Sequence, residues 1–515
     1  MRRGQATEMT VTALALRQKQ RAHVMTPSAP PTNPEAPAQP TANPLDRNMI
    51  IKLAVILATV LIIWFIPSPE GVDPRGMHMA AIFVGTILGL VLQPLPTAAV
   101  SIIGLAAAMI TGTMNVGDDE ALTGFASSAV WLIVAAFFIA DGFLLTGLGR
   151  RIALWFVTKL GRSSLGLAYG MAATDLLMAP ATPSNTARAG GVVFPIVKSL
   201  AVVQGSTPET DESRRRLGAF LSMSTVQVNT ITSAMFLTAM AGNPLVQQFA
   251  AEQGVEITWG NWALAAVVPG LAALIVAPWA LSKIYAPTLK KTPEAPGQAK
   301  EELAKLGKLT RPELIMALTF VLLLIMWSVG GSFGINATAT AFVGIAILLC
   351  TKVLTWKIMA ANSGAWSTLI FFGVLVGMAG HLNTLGVITW IGDSVSASVG
   401  HLPWGLAFVV LCLVYFYVHY FFASNTAQIV AMYAVFLAAA IAVGTPPLLA
   451  ALMLGFIGNL FGGLTHYSSG PCGVIFGSGY VKTPEWFRVG FMMSVVTLVV
   501  FGLVGFGWMS LIGML

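Results

Sequence analysis

The chain has 515 residues, 56% of them hydrophobic and only 10% charged, with a formal net charge of +7. Many of its apolar runs reach the roughly 20 residues that a helix needs to cross a bilayer, which excludes a soluble enzyme domain and implies a polytopic α-helical membrane protein. Three cysteines, Cys350, Cys412 and Cys472, lie within or beside apolar segments without metal-ligand spacing, so neither a disulfide nor a metal is assigned.

Residues 1–48 are polar and rich in Pro, Ala, Thr and Asn, the composition of a disordered tail without an apolar signal region. Residues 1–24 carry several arginines and few acids, which leaves an organellar transit peptide open. The favoured reading is an over-extended start with Met25 as initiator. The first transmembrane repeat occupies 49–282, with spans near 49–67, 77–93, up to Met114, and 125–147. From 165 to 200 the apolar run is interrupted by Ala181 to Gly191, leaving two arms too short to span. This segment reads as a re-entrant hairpin with its tip at Ser184, Asn185 and Thr186. Spans at 217–248, expected to break around Gln227 to Ser233, and at 258–283 complete the repeat.

A polar cytoplasmic linker, 283–313, leads to the second repeat, 314–515, with spans near 313–330, 335–351 and 366–388. A second hairpin at 403–443 has its tip at Ser424, Asn425 and Thr426, followed by a broken span at 447–480 and a last one at 486–514. The two tips are 240 residues apart, and Trp131, Phe137, Phe138 and Gly149 match Trp366, Phe371, Phe372 and Gly386 at similar offsets. The expected architecture is therefore all-α, about eleven transmembrane helices plus two re-entrant hairpins in two inverted-topology repeats.

Charge placement supports this topology. With the N-terminus in the cytoplasm and both hairpins returning to their own side, 26 of the 28 basic residues face the cytoplasm. The exceptions are Arg75 and Arg188, while Glu70, Asp73, Asp118, Asp119, Glu120, Glu252, Glu256 and Asp393 fall outside. The odd number of spans puts the C-terminus outside, and it makes the hairpins enter from opposite faces. The basic excess thus follows from topology, and no nucleic-acid partner is expected.

Small polar side chains in an apolar segment are costly unless something binds them. A hairpin tip at the midplane exposes backbone N–H groups and the positive end of a helix dipole, which favours an anion. The hydroxyls and amides of Ser184, Asn185, Thr186, Ser424, Asn425 and Thr426 add donors suited to a carboxylate at each end of one molecule. The same oxygens could instead coordinate Na⁺. Arg188 shares a face with Ser184 and Asn185, and the position 240 residues later is Gln428. An intramembrane arginine grips a substrate, replaces a mobile cation, or forms an ion pair, for instance with Asp175. Thr465 and His466 lie in the Gly-rich break of the second half, and Gln227, Asn229 and Thr230 are the opposite candidates that complete the site. His419, near the second tip, reads as packing. No nucleotide-binding loop, nucleophile constellation or metal cluster is visible, so no enzyme chemistry is expected and gradients must supply the energy.

These residues resemble the divalent anion/sodium symporter family, in its branch of citrate/succinate antiporters and 2-oxoglutarate/malate translocators. The carriers of the resemblance are Ala181 to Gly191, Thr238 to Pro244, Lys291 to Pro296, Ser424 to Thr426, Leu464 to Tyr467 and Phe476 to Tyr480. It implies a homodimer in which a mobile domain carries a di- or tricarboxylate past a static scaffold in an elevator-like movement. It also implies that both Ser-Asn-Thr tips contact the carboxylates. An obligate exchanger without a cofactor in a bacterial inner membrane is the expectation, with an organellar inner membrane second. Alternatives are a Na⁺-coupled symporter and, from another class, an anion channel or non-transporting receptor.

Overall fold

Twenty-three helices account for most of the computed structural model, which describes residues 46–116, 120–399 and 402–515; no strand occurs among the described residues. Ser-, Thr- and Asn-capped starts and glycine ends set the boundaries of many helices. Helix α1, Arg47–Trp64, begins two residues before the expected start of the first span. The readings that fall on 1–45, and on the acidic pair Asp118 and Asp119, lie outside the described residues. Helices α2, Gly76–Leu92, α3, Thr97–Ile110, and α4, Ser128–Thr146, follow. Gly147, with φ of 73°, turns the chain where a side chain would strain it.

After that turn the chain does not form the expected loop. It continues as α5, Leu148–Leu160, whose apolar side is buried through Leu148, Ala153, Leu154 and Val157. Helix α6, Ser164–Met178, is capped by Ser163, whose Oγ accepts from the Gly166 N–H at 3.0 Å. A 3₁₀ turn at Ala179–Ala181 and a π-helical stretch, Thr186–Val193, lead into α7, Phe194–Val203. The short α8, Asp211–Arg216, precedes α9, Gly218–Met235, and then come α10, Gly242–Ala251, and α11, Trp259–Ile284.

Helix α9 is central, because every one of its residues is buried, including Ser222, Ser224, Thr225, Gln227, Asn229, Thr230, Thr232 and Ser233. The expected break at Gln227 to Ser233 is therefore corrected: that polar run is intact helix, and the chain breaks later, from Phe236 to Ala241. Asn243 stabilises this break by donating from Nδ2 to the carbonyls of Ser233 and Phe236 at 2.8 and 2.9 Å. Ser233 is in the last turn of α9 and Phe236 directly follows it, so the amide braces the end of the helix, where carbonyls lack partners within the helix.

The linker is also more structured than its composition suggests. Residues Ala295–Lys305 form α12, which packs on α5, and Arg150 pairs with Glu302 at 3.0 Å. Arg151 pairs with Glu313 at 2.7 Å and donates to the Gly307 carbonyl at 2.9 Å. Glu313 belongs to the capping box with Thr310 that starts α13, Arg311–Val329. Helices α14, Ala337–Cys350, α15, Trp356–Ala361, and α16, Ser363–Thr384, precede a second unexpected helix, α17, Val387–Val399. Both α5 and α17 have 13 residues and stand directly before a hairpin.

That hairpin comprises α18, Trp404–Tyr417, a 3₁₀ turn at Val418–Phe421, and α19, Asn425–Ala442. Helix α20, Pro447–Leu460, then gives way at Phe461 to Ser469 before α21, Gly470–Phe476. The chain closes with α22, Thr483–Val500, a π-helical turn and α23, Phe506–Leu511. Among the described residues nine helical stretches are long and apolar enough to cross a membrane, and four shorter helices are also apolar.

Candidate functional site

The first tip forms where α6 ends in its 3₁₀ turn and the chain runs extended through Thr182 and Pro183. Ser184 Oγ accepts from the Ala187 N–H at 3.1 Å, so this hydroxyl caps the following helix. The capped segment is π-helical, a wider turn often found at functional sites. Asn185 and Thr186 are half-buried, and their side chains form no hydrogen bond among the described residues. A Cβ placed on Gly470 would collide with Thr186 Oγ1, so this tip lies directly against the break of the second half.

Arg188 is fully buried behind that tip. Its Nε donates to Asp175 Oδ1 at 3.1 Å, and Nη1 donates to the carbonyls of Thr182 and Ala239 at 2.6 and 2.8 Å. Nη2 reaches Ser233 Oγ at 2.8 Å and Thr232 Oγ1 at 3.4 Å, which engages all five N–H donors. Asp175 in turn accepts from Thr232 Oγ1 and from Asn229 Nδ2 at 3.2 Å. Arg188 therefore fastens the first hairpin to α9 and to the break at Ala239. A buried pair satisfied in this way is costly to disrupt from one side.

The second tip repeats the plan with different groups. Ser424 caps α19, accepting from the Ala427 N–H at 3.4 Å. Gln428, the counterpart of Arg188, donates from Nε2 to the Tyr415 carbonyl at 2.6 Å. Tyr415 lies 240 residues after Asp175, so the fastening joins corresponding positions in the two hairpins. His419 adds a contact that has no counterpart in the first hairpin: Nδ1 lies 2.7 Å from Gln428 Oε1 and Nε2 lies 3.1 Å from the Ser468 carbonyl. Both neighbours are acceptors once Gln428 Nε2 donates to Tyr415, so a neutral ring donates to one of them at a time. The ring also stacks on Phe461 at 4.1 Å.

Asn425 approaches Gly462, where its Nδ2 lies 2.8 Å from the position a Cβ would take. Thr426 makes only a 3.9 Å contact with the sulfur of Met240, in the first half's break. Tips and breaks thus meet across the halves at Thr186 with Gly470 and at Thr426 with Met240, and within the second half at Asn425 with Gly462. No group of three or more His, Cys, Asp or Glu residues suited to a metal is present among the described residues.

A family model described as the sodium:sulfate symporter transmembrane region matches residues 47–515, nearly all of the chain. The chain belongs to the divalent anion/sodium symporter family. Among its relatives is YflS, a candidate malate transporter of Bacillus subtilis, 48% identical over 91% of this chain and 98% of that one. The chloroplast dicarboxylate transporter 1 of Spinacia oleracea is 48% identical over 90% of this chain and 81% of its own. The citrate/succinate antiporter of Escherichia coli is 35% identical over 90% of this chain and 98% of its own. The crystal structure of the Alcanivorax borkumensis YdaH transporter superposes with a TM-score of 0.53 at 11% identity, covering 90% and 97% of the two chains, and shares the fold. The chain is an integral membrane protein of a transporter family, so its site must bind and release rather than make bonds.

Within this member of the symporter family the expected site residues divide into two sets. Asn185, Thr186, Asn425 and Thr426 keep polar groups uncommitted at the meeting point, whereas Ser184 and Ser424 serve as caps. Arg188, expected as a direct substrate contact, has no donor left for one; its geometry is that of the ion pair with Asp175. Asn229 is held by the same carboxylate, and Thr230 donates to its own helix at the Gln227 carbonyl at 2.8 Å. Gln227 donates to the Gly463 carbonyl at 3.1 Å and so ties α9 to the opposite break. Thr465 is engaged in a turn, its Oγ1 lying 2.8 Å from Ser468 Oγ. His466 packs against Phe476, Tyr467 and Phe487 at 4.3, 5.0 and 5.9 Å, with Nδ1 buried and lacking a partner among the described residues.

Residue-by-residue reading missed the work of His419, Ser468, Met240 and the glycines at 462, 463 and 470. The 240-residue offset could have found the Gln428–Tyr415 fastening, since it maps Arg188 and Asp175 directly onto these positions.

Proposed function

We propose that the chain is a secondary active carrier of di- and tricarboxylates of the malate, succinate, 2-oxoglutarate, citrate or tartrate class, working as an obligate exchanger. One observation carries this reading: Asn185, Thr186 and Asn425, without a side-chain hydrogen bond among the described residues, and Thr426, with only a 3.9 Å contact to Met240, stand where the two tips face the chain breaks. Such donors, with the exposed N–H groups of two helix starts, match a carboxylate at each end of a small molecule. The printed functions of the spinach and Escherichia coli relatives support the substrate class and, for the latter, exchange. Arg188 and Asp175 act as a positioning pair for the first tip, and His419 with Gln428 serves the second.

In this reading the hairpins, α9 to α11 and α20 to α22 form the mobile body of an elevator, with inverted repeats giving one tip to each side of the membrane. The carrier works as a homodimer in a bacterial inner membrane, with its N-terminus inside, its C-terminus outside and no cofactor. The family description names sodium, which favours the alternative of Na⁺-coupled uptake. Purified protein in liposomes separates these readings. Labelled malate should enter only vesicles loaded with a dicarboxylate, at a rate independent of Na⁺. Uptake into empty vesicles driven by a Na⁺ gradient would replace exchange with symport. Current far above carrier turnover, or binding without flux, would replace the carrier with a channel or a receptor.

A further inference from the structure

At one end of the helical body, away from the tips, a pocket of about 270 Å³ opens between α8, α11 and α22. Its floor is the buried pair Ala219 and Phe220, and its rim carries Arg215, Lys283 and Arg488 beside Tyr285. Neither Lys283 nor Arg488 forms an ion pair among the described residues, and both are exposed. Glu485, which pairs with Arg215, is already surrounded: it accepts from Arg214 at 2.6 and 2.9 Å, from Arg215 at 2.8 Å and from Tyr285 Oη at 2.8 Å. Burial, reinforced by the hydrogen bond to Glu485, pushes the Tyr285 hydroxyl up to about 12, so it stays protonated and donating at ordinary pH. Arg215 also lies over the Tyr285 ring at 5.5 Å. Arg214 is divided between Glu485 and Asp211, its Nε donating to Asp211 at 2.7 Å, so Arg215 shares Glu485 while Lys283 and Arg488 have no ion-pair partner among the described residues, and the rim is positive.

The same rim continues into an apolar surface. On α11, Lys283 follows Trp279 by one turn and Ile275 by two, and these are 54% and 65% exposed. On α22, Arg488 precedes Met492 by one turn and Val495 and Val499 by two and three, all of them exposed. Helices α11 and α22 pack side by side, so a cationic pocket at the interface opens onto an apolar strip running along two spans. Tryptophan and tyrosine beside it have the amphipathic character of headgroup-level residues.

We propose that this pocket binds the headgroup of an anionic phospholipid, with Lys283, Arg488 and the free face of the Arg215 guanidinium on the phosphate and the acyl chains against Trp279, Ile275, Met492 and Val495. Charge complementarity and continuity with the apolar strip together select a lipid over a soluble anion. The site belongs to the lipid-facing surface and is independent of the substrate reading.

The test uses the full chain in detergent with native mass spectrometry and thermal unfolding, adding phosphatidylglycerol, phosphatidylcholine or inorganic phosphate. Phosphatidylglycerol should be retained in preference to phosphatidylcholine and should raise the melting temperature, and phosphate should do neither. Lys283→Gln with Arg488→Gln, both exposed and so tolerated by the fold, should lower retention about fivefold per charge removed. Arg488→Lys should restore most of it. Equal retention of the two lipids, or unchanged phosphatidylglycerol retention in the double variant, would overturn the proposal. Protection by phosphate alone would overturn it in favour of a soluble-anion site.

Discussion

Arg188 shows how an intramembrane charge can be structural and still decide function. Its five donors hold three separate pieces of chain, and removing it would leave Asp175 buried without its cation, at about 3 to 5 kcal/mol. Arg188→Ala should therefore abolish exchange and lower the melting temperature together. Arg188→Gln combined with Asp175→Asn should recover stability beyond the sum of the single changes, a coupling of roughly 0.5 to 3 kcal/mol in a thermal double-mutant cycle. A variant that raises only the KM for malate at unchanged stability would instead mark Arg188 as a substrate contact. Much of this site was legible: Ser184 to Thr186 and Ser424 to Thr426 stand out because polar groups in an apolar run are costly. Which of them cap helices and which stay open was not legible, since that depends on partners such as Ala187, Gly470 and Met240 brought in by the fold.

Polarity at Gln227 to Ser233 suggested unwinding, yet it reflects a helix whose every side is covered by protein, with Asp175, Arg188 and Gly463 as its partners. The true break ends where Gly242, Asn243 and Pro244 open α10, since proline is tolerated in a helix's first turn, where its missing N–H would have no partner. Helices α5, α12 and α17 escaped the sequence for another reason: they are short and one-sided, so their apolar residues form no run long enough to read as a span. The glycines of the second break can be tested directly. Gly470→Ala would press a methyl group against Thr186 Oγ1, and should cost about 1 to 3 kcal/mol and most of the exchange rate in liposomes. Gly473→Ala, where a Cβ meets nothing within 4 Å, should leave both nearly unchanged.

For the whole molecule, the enclosure of α9 has a consequence for how the protein is made. This helix carries eight buried Ser, Thr, Asn and Gln residues and is not among the nine stretches apolar enough to partition alone. Its partners include α6 and α7, synthesised before it, α11 directly after, and α20, which begins at Pro447, more than two hundred residues later. During synthesis, then, its polar groups at Gln227 have no Gly463 carbonyl to meet, and lipid offers no substitute. Stable insertion of α9 must wait for the second half. Chains truncated after the linker, at Glu313, should leave Gly218 to Met235 accessible to water-soluble cysteine reagents when Ser224→Cys is introduced, whereas the full chain should protect that position. Protection in the truncated chain would show that the first half buries its own polar helix, and that the second half serves transport without being required for assembly.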